Sequence, residues 1–224
     1  MTPRSIIERA ESLGIGIIAV CDHNSAENIA VTQEIGVRMG IAVFPGMEIT
    51  SSEEVHVLGF FKGLEQALEM QALVYTHLQP GENDEDAFGM QVRVNKDDEV
   101  LGINRRLLIG STDLSVNRIV ELIHGLRGIA VASHIDREGF GIIGQLGFIP
   151  QEVRFDALEI SSRTEMADAV QQFDIYRNIP WITSSDAHRL EDIGRRTTGL
   201  YMNQATFEEF SLVLAGAEGR KVIC

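Results

Sequence analysis

The apolar residues of this chain fall into short runs that alternate between two periods. Behind Thr2-Pro3, a cap with a proline in the first turn, Ser5-Ile-Ile-Glu-Arg-Ala-Glu-Ser-Leu repeats at helical spacing until Gly14. The run at about 16–21 then reads as a strand. Asn24 or Ser25 can cap a helix that carries Ile29, Val31, Ile35, Val37 and Met39 to Gly40, and a second strand is predicted at about 41–44. The same punctuation predicts strands at 54–60, 128–132, 156–160, 180–184 and 197–202, with helices at 63–79, 114–126, 164–177 and 205–217. Strands alternating with helices imply an α/β chain whose parallel sheet is covered on its outer face, as a barrel or in doubly wound form. Residues 81–110 break the rhythm. There an acidic loop, Glu82-Asn-Asp-Glu-Asp86, precedes Gln91-Val-Arg-Val, a turn at Asn95-Lys-Asp-Asp98, and Glu99-Val-Leu-Gly-Ile, which predicts an inserted β-hairpin beside the mouth of the site. The loop's charges themselves read as a solvated surface.

Composition narrows this picture. A chain of 224 residues, 44% of them apolar, suits a single domain over 1–224 with an excursion at about 81–110. No apolar run approaches the roughly 20 residues that span a bilayer, and there is no signal-like leader, so a cytoplasmic protein with no membrane partner is expected. Cys21 and Cys224 do not resemble a disulfide framework. The excess of 33 acidic over 19 basic residues, a formal charge of -14, opposes attraction to a long nucleic acid duplex. A small anionic substrate remains compatible, because two or three bound divalent ions would add about four to six positive charges at one spot.

Four of the six histidines stand in phrases of one kind, an apolar strand-like run ending on a ligand-type side chain. These are Ile-Ala-Val-Cys-Asp22-His23, Phe-Pro-Gly-Met-Glu48 with Val-His56-Val-Leu-Gly, Ile-Ala-Val-Ala-Ser-His134, and Trp-Ile-Thr-Ser-Ser-Asp186-Ala-His188. Imidazoles and carboxylates gathered at strand ends suit divalent metals and metal-assisted hydrolysis. Almost every strand delivers a candidate at its carboxyl end, which favours a barrel over an open sheet. Asp186 and His188, one residue apart, point the same way on an extended strand end, although the phrase read alone also fits a helix cap. Glu48 can bridge two metals through its two oxygens, and the preceding glycine permits a tight backbone approach. Asp22 is read as an acceptor that orients His23. His77 and His124 fall within helices and read as surface or packing residues; Met47, Met70, Met90 and Met166 read as core fillers, and Trp181 as packing beneath the site.

Together these phrases resemble the motifs of the PHP superfamily, named for polymerase and histidinol phosphatase, over nearly the whole chain. The resemblance rests on Asp22-His23-Asn24, Pro-Gly-Met-Glu48 with His56, Ser-His134, and Ser-Asp186-Ala-His188. It implies a distorted (β/α)7 barrel that holds up to three divalent ions, zinc, manganese or iron, and hydrolyses phosphate esters. In that family's terms Glu48 bridges, Glu48, His56 and His134 hold one ion, Asp186 belongs to an adjoining site, and His23 with His188 to a third. One departure matters: the family opens with a strand ending in His-x-His, and no such pair occurs in this sequence. The first strand is therefore expected to be missing, with fewer ions bound, Met1 to be an internal methionine of a longer reading frame, and the exposed barrel edges to offer a route to an oligomer.

The expected function is hydrolysis of a small phosphate monoester, a nucleotide or a sugar or amino-alcohol phosphate, by metal-bound hydroxide. His188 or His23 would protonate the leaving oxygen, and the planar fork of Arg137 would clamp the phosphate. The alternatives are a noncatalytic or impaired metal-binding PHP module and a nuclease acting on short oligonucleotides.

Overall fold

Helix α1 (Pro3–Ser12) starts at a reciprocal cap: the Ser5 N–H donates to Thr2 Oγ1 and the Thr2 N–H to Ser5 Oγ, with Pro3 at the first helical position, where no donor is needed. Strand β1 (Ile17–Val20) leads to α2 (Ile29–Met39), which Gly40 ends in the left-handed conformation at φ 71°. Next come β2 (Ala42–Thr50), β3 (His56–Phe60) and α3 (Leu64–His77). Residues beyond it hold the short helix α4 (Glu85–Phe88) and an antiparallel pair, β4 (Val92–Val94) with β5 (Val100–Ile103). Then follow α5 (Val116–Gly125), β6 (Ile129–Ala132), a short α6 (Ile142–Leu146), β7 (Ala157–Ile160), α7 (Met166–Phe173) and β8 (Trp181–Thr183). The last elements are β9 (Gly199–Tyr201), α8 (Phe207–Leu214) and β10 (Lys221–Ile223). This computed structural model describes residues 1–223; Cys224, and with it the reading of the two cysteines, lies outside the described residues.

The main sheet has the order β1-β2-β3-β6-β7-β8. It is not wholly parallel, as the alternation had predicted. β3 runs antiparallel to both β2 and β6, because a link as short as residues 51–55 can only reverse the chain. β9 also departs from expectation: with Gly199 and Tyr201 exposed, it pairs with β10 in a separate surface ribbon. Six strands therefore make the main sheet among the described residues, and they form a curled α/β half-barrel. No described helix is long and apolar enough to cross a membrane.

Period-2 alternation sorts the two faces. The outer face, with Met47, Ile49, Val57, Ala130, Ala132, Leu158 and Ile160, packs against α3, α5 and α7 through residues such as Met70, Val74, Ile119, Ile123 and Phe173. Trp181 packs against this same cluster. The inner face carries Phe44, Leu58, Phe60, Ile129, Val131, Ala157 and Ile182, and α8 closes one end of it. The Phe210 ring lies 5.7 Å from Phe44 and 6.0 Å from Phe60. Along that face a cavity of about 780 Å³ opens between β1 and β8, each paired in the sheet on one side only. Met90 is exposed rather than a core filler, since the excursion that carries it lies away from the main apolar cluster.

Ile123 is fully buried where α5 meets the sheet, and its side chain lies 3.1 Å from where a Cβ at Gly59 would stand. Replacing Ile123 with Ala should cost about 2–5 kcal/mol of folding stability, because the packed helix and sheet cannot collapse into the space left. Urea denaturation checks this through a lower midpoint at unchanged slope.

Candidate metal centre

The alternation that places Phe44, Leu58, Val131, Ala157 and Ile182 on the inner face carries on to polar residues near the strand ends. Two residues away at the same parity stand Ser133 beyond Val131, Glu159 beyond Ala157, Ser184 beyond Ile182 and, on the antiparallel β3, His56 before Leu58, while Phe44 is followed by Gly46 and Glu48. The β1–β2 pairing extends beyond the strand to place His23 beside Glu48: the Glu48 N–H donates to the Asp22 carbonyl at 3.2 Å and the Asn24 N–H to the Glu48 carbonyl at 2.8 Å. Gly46 allows this approach, because a Cβ there would stand 2.5 Å from Cys21 Sγ. Asn24, fully buried at φ 51°, fixes the corner by donating from Nδ2 to the carbonyls of Leu108 and Gly110, each at 2.8 Å, and accepting from the Thr50 N–H. His134 leaves the strand parity by turning through φ 30°, and Asp186 through φ 43°.

These placements bring three predicted imidazole ligands around one predicted carboxylate. Glu48 Oε1 lies 3.0 Å from His56 Nδ1 and 3.4 Å from His134 Nε2, and those two nitrogens are 3.3 Å apart. The other oxygen, Oε2, faces His23 Nδ1 at 3.5 Å. Ligand atoms of His23, Glu48 and His56 all lie within 4.8 Å of one another. His56 is held from behind, its ring stacked on Phe140 at 4.5 Å and its backbone N–H donated to the Phe140 carbonyl. Asp136 ties the loop after His134 to the end of β7, accepting from the Ser161 N–H at 2.8 Å and from the hydroxyls of Ser161 and Thr164.

Burial alone would raise the pKa of Glu48; hydrogen bonds from His134 and His56 outweigh it and hold the carboxyl well below the ordinary range. Burial lowers that of His23 against the pull of Glu48, which favours the neutral, lone-pair form a metal needs. The expected helper is not in place: the Asp22 side chain is exposed, and His23 Nδ1 is buried with no hydrogen-bond partner among the described residues. A buried imidazole nitrogen left unpaired beside a carboxylate is costly in a protein alone and is the arrangement a divalent cation satisfies. The donor set therefore fits the metals the family resemblance implies.

The remaining predicted residues stand to one side. The ring centroid of His188 is 6.3 Å from that of His23, and its Nδ1 is 3.0 Å from the Asp186 carbonyl. Asp186 does not reach the Glu48 cluster; its carboxylate pairs with Arg137 at 2.7 Å, so its most direct contact is a cation. His77 and His124 are elsewhere, paired with Asp113 at 2.7 Å and Asp156 at 2.9 Å.

Glu159 was missed. Fully enclosed on β7, it accepts from the His134 N–H at 2.9 Å, contacts Ser133 Oγ at 3.0 Å and receives the Ser184 hydroxyl, joining the ends of three strands. Ser133 Oγ is also 3.1 Å from Glu48 Oε1, and its single proton serves one carboxylate at a time. Burial raises the pKa of Glu159 against the Ser184 hydrogen bond, so Glu48 is the more readily ionised of the two. Its signal was present in the sequence as a glutamate inside the strand-type run Asp-Ala-Leu-Glu159-Ile.

Comparison with known proteins agrees with this fold. A family model described as PHP-associated matches residues 168–214. The chain is 35% identical over 108 residues to the uncharacterized protein YqxK of Bacillus subtilis and 33% identical over 64 residues to the 5'-3' exoribonuclease Rnm of Escherichia coli. Those alignments cover 45% and 26% of this chain and 27% and 22% of the relatives, so the chain spans about a quarter of the length of the curated proteins it matches. Among solved structures, the lesion-specific endonuclease Q of Pyrococcus furiosus superposes with a TM-score of 0.74 at 18% identity, over 99% of this chain and 53% of that one. A two-domain protein of Bacteroides vulgatus containing a predicted PHP-like metal-dependent phosphoesterase superposes with a TM-score of 0.56 at 12% identity, over 92% of this chain and 55% of that one. The class defined by fold and motifs is that of PHP-type α/β half-barrels. The chain is similar to PHP proteins in fold and, at residues 168–214, in sequence.

Endonuclease Q has also been solved with a 27-mer duplex that carries an abasic lesion at the active site. This runs against the expectation that excluded long duplexes on net charge. A sum over the whole chain says little about the field at one rim, where a few arginines or bound cations dominate.

Substituting Glu48 with Gln should remove most bound divalent metal, because one ionised oxygen is lost between three imidazoles; metal analysis after gel filtration with manganese or zinc reads the loss. Metal binding should also resist mild acid. With its pKa lowered, His23 stays neutral as pH falls through the ordinary imidazole value of about 6.5 and takes up its proton only below it. The unfolded chain protonates there first, so stability also falls as pH drops through that window. Manganese titrations at pH 8, 7 and 5 check the sign, with weakening confined to the lowest.

Proposed function

We propose that this chain carries the metal-binding machinery of a phosphate-ester hydrolase. The observation that supports it is the convergence of His23, His56 and His134 on the two oxygens of Glu48. In this reading Glu48, His56, His134 and His23 would hold divalent ions, with His188 nearby and Asp186 at an adjoining position. Divalent ions held there supply positive charge to phosphoryl oxygens and ionise water near neutral pH.

The chain's own groups do the rest. A backbone carbonyl only accepts hydrogen bonds, so the approach of His188 Nδ1 to the Asp186 carbonyl puts the proton on Nδ1 and leaves Nε2 free to exchange one with the leaving oxygen. The Arg137 fork, oriented by Asp186, clamps phosphate oxygens. The substrate is a small phosphate monoester in the first instance, handled in the cytoplasm. A second reading, a nucleic acid phosphodiester, is favoured by the similarity to endonuclease Q and to the exoribonuclease, whose substrates are polynucleotides by name.

The test is turnover of p-nitrophenyl phosphate, a nucleoside 5'-monophosphate and a short single-stranded oligonucleotide with manganese or zinc. The expected result is phosphate release from the monoesters, with kcat about 10²-fold lower in His188→Ala, the low end for loss of a general acid. Cleavage of the oligonucleotide alone moves the substrate to the second reading. Full metal occupancy without turnover of any of the three leaves a noncatalytic metal-binding module.

A further inference from the structure

Backbone pairing stops short of the ligands. The β6–β7 register ends at Ala132 with Leu158 and the β7–β8 register at Ile160 with Thr183, whereas His134 on one limb and the Ser184–His188 turn on the other stand beyond those pairs. The side chain of Glu159 spans the gap. From the middle strand its Oε2 accepts from the His134 N–H at 2.9 Å and lies 3.0 Å from Ser133 Oγ, while its Oε1 takes the Ser184 hydroxyl. The backbone of the same residue adds one bond to the first limb, from the Ile135 N–H at 2.9 Å. The far side of the second limb is fastened by Ser185, whose Oγ accepts from the Gly194 N–H at 3.0 Å and donates to the Arg196 carbonyl at 2.9 Å. Glu159 is buried, so water cannot take over its place as an acceptor. Its three side-chain partners are an amide and two hydroxyls, none of them a cation.

We infer that Glu159 is a positioning residue of the metal centre: its carboxyl group ties His134 to the root of the turn that carries Asp186 and His188, and so sets the separation of the two groups of ligands. The inference rests on the metal-binding reading of the site and adds to it a residue that is not itself a ligand. A cation tolerates little error in the placing of its ligands, and the groups that hold those ligands share in its affinity. Side-chain chemistry separates this role from ligation. A glutamine at 159 has the same shape and keeps both contacts: its oxygen accepts from the His134 N–H, and its amide donates to Ser184 Oγ, since a hydroxyl accepts as well as donates. It offers no charge to a cation. A leucine there has a similar volume and accepts nothing, which leaves the His134 N–H unpaired in the interior.

The experiment titrates cobalt into the wild type, Glu159→Gln, Glu159→Leu and Ser184→Ala, followed by visible absorption, and records the histidine ring signals of the metal-free proteins by NMR. Glu159→Gln should bind cobalt within about 3-fold of the wild type, and Glu159→Leu about 10–100-fold more weakly with a displaced absorption band. Ser184→Ala releases one limb alone, so it should shift the ring signals of His188 and leave those of His56 and His134 in place; this milder variant decides the matter if Glu159→Leu does not fold. Cobalt binding as weak in Glu159→Gln as in Glu159→Leu means that the charge itself serves the cation, which overturns the inference. Wild-type affinity in Glu159→Leu, or unmoved His188 signals in Ser184→Ala, overturns it too. A wild type that takes up no cobalt sinks the metal-site reading, and the metal-free spectra of Glu159→Leu then decide the positioning role by themselves: displaced His134 and His188 signals uphold it, and unmoved signals end it.

Discussion

The site depends on one buried negative charge. Glu48 sits inside a curled sheet among aliphatic and aromatic side chains, where an ionised carboxylate is strongly unfavourable unless charge or hydrogen bonds surround it. His56, His134 and Ser133 approach one of its oxygens and His23 the other. None of these groups is at home in an apolar interior without the carboxylate, and the carboxylate is not at home without them. The result is a mutually dependent cluster whose residual need, an unpaired imidazole nitrogen, is the need a cation fills.

The surrounding structure serves to hold these groups together. Gly46 lets β1 close on β2, Asn24 pins the corner after His23, Phe140 backs the ring of His56, and Asp136 anchors the loop that leaves His134. Glu159 gathers the ends of β6, β7 and β8 on one buried carboxyl group. These contacts come from strands and turns packed on a dense outer face, a rigid support of the kind that keeps ligand geometry within narrow limits.

Much of this was legible in the sequence, and the reason is alternation. An apolar strand that ends on an imidazole or carboxylate announces both its face and its rim position, so His23, Glu48, His56 and His134 could be singled out before any coordinates. Glu159 carried the same signal, but a single glutamate inside Ala-Leu-Glu-Ile is not set off by histidine, and its parity on the inner face becomes informative only once Ala157 is known to point there. The same limit applied to Asp22, whose proximity to His23 in sequence suggested a contact that the strand's alternation denies, since neighbouring residues point to opposite sides.

What the sequence determined by itself was local: where helices and strands lie, which residues have ligand chemistry, and which phrases resemble the PHP motifs. Tertiary structure decided the rest. The reversal at residues 51–55 made β3 antiparallel and brought His56 across from Thr50, next to Glu48; the surface ribbon drew β9 away from the barrel; and the turn at Asp186 gave its carboxylate to Arg137. Periodicity reports the face a side chain occupies within its own element, whereas pairing partners and ion pairs are chosen among elements far apart in the chain. Only the folded sheet brings those choices into contact.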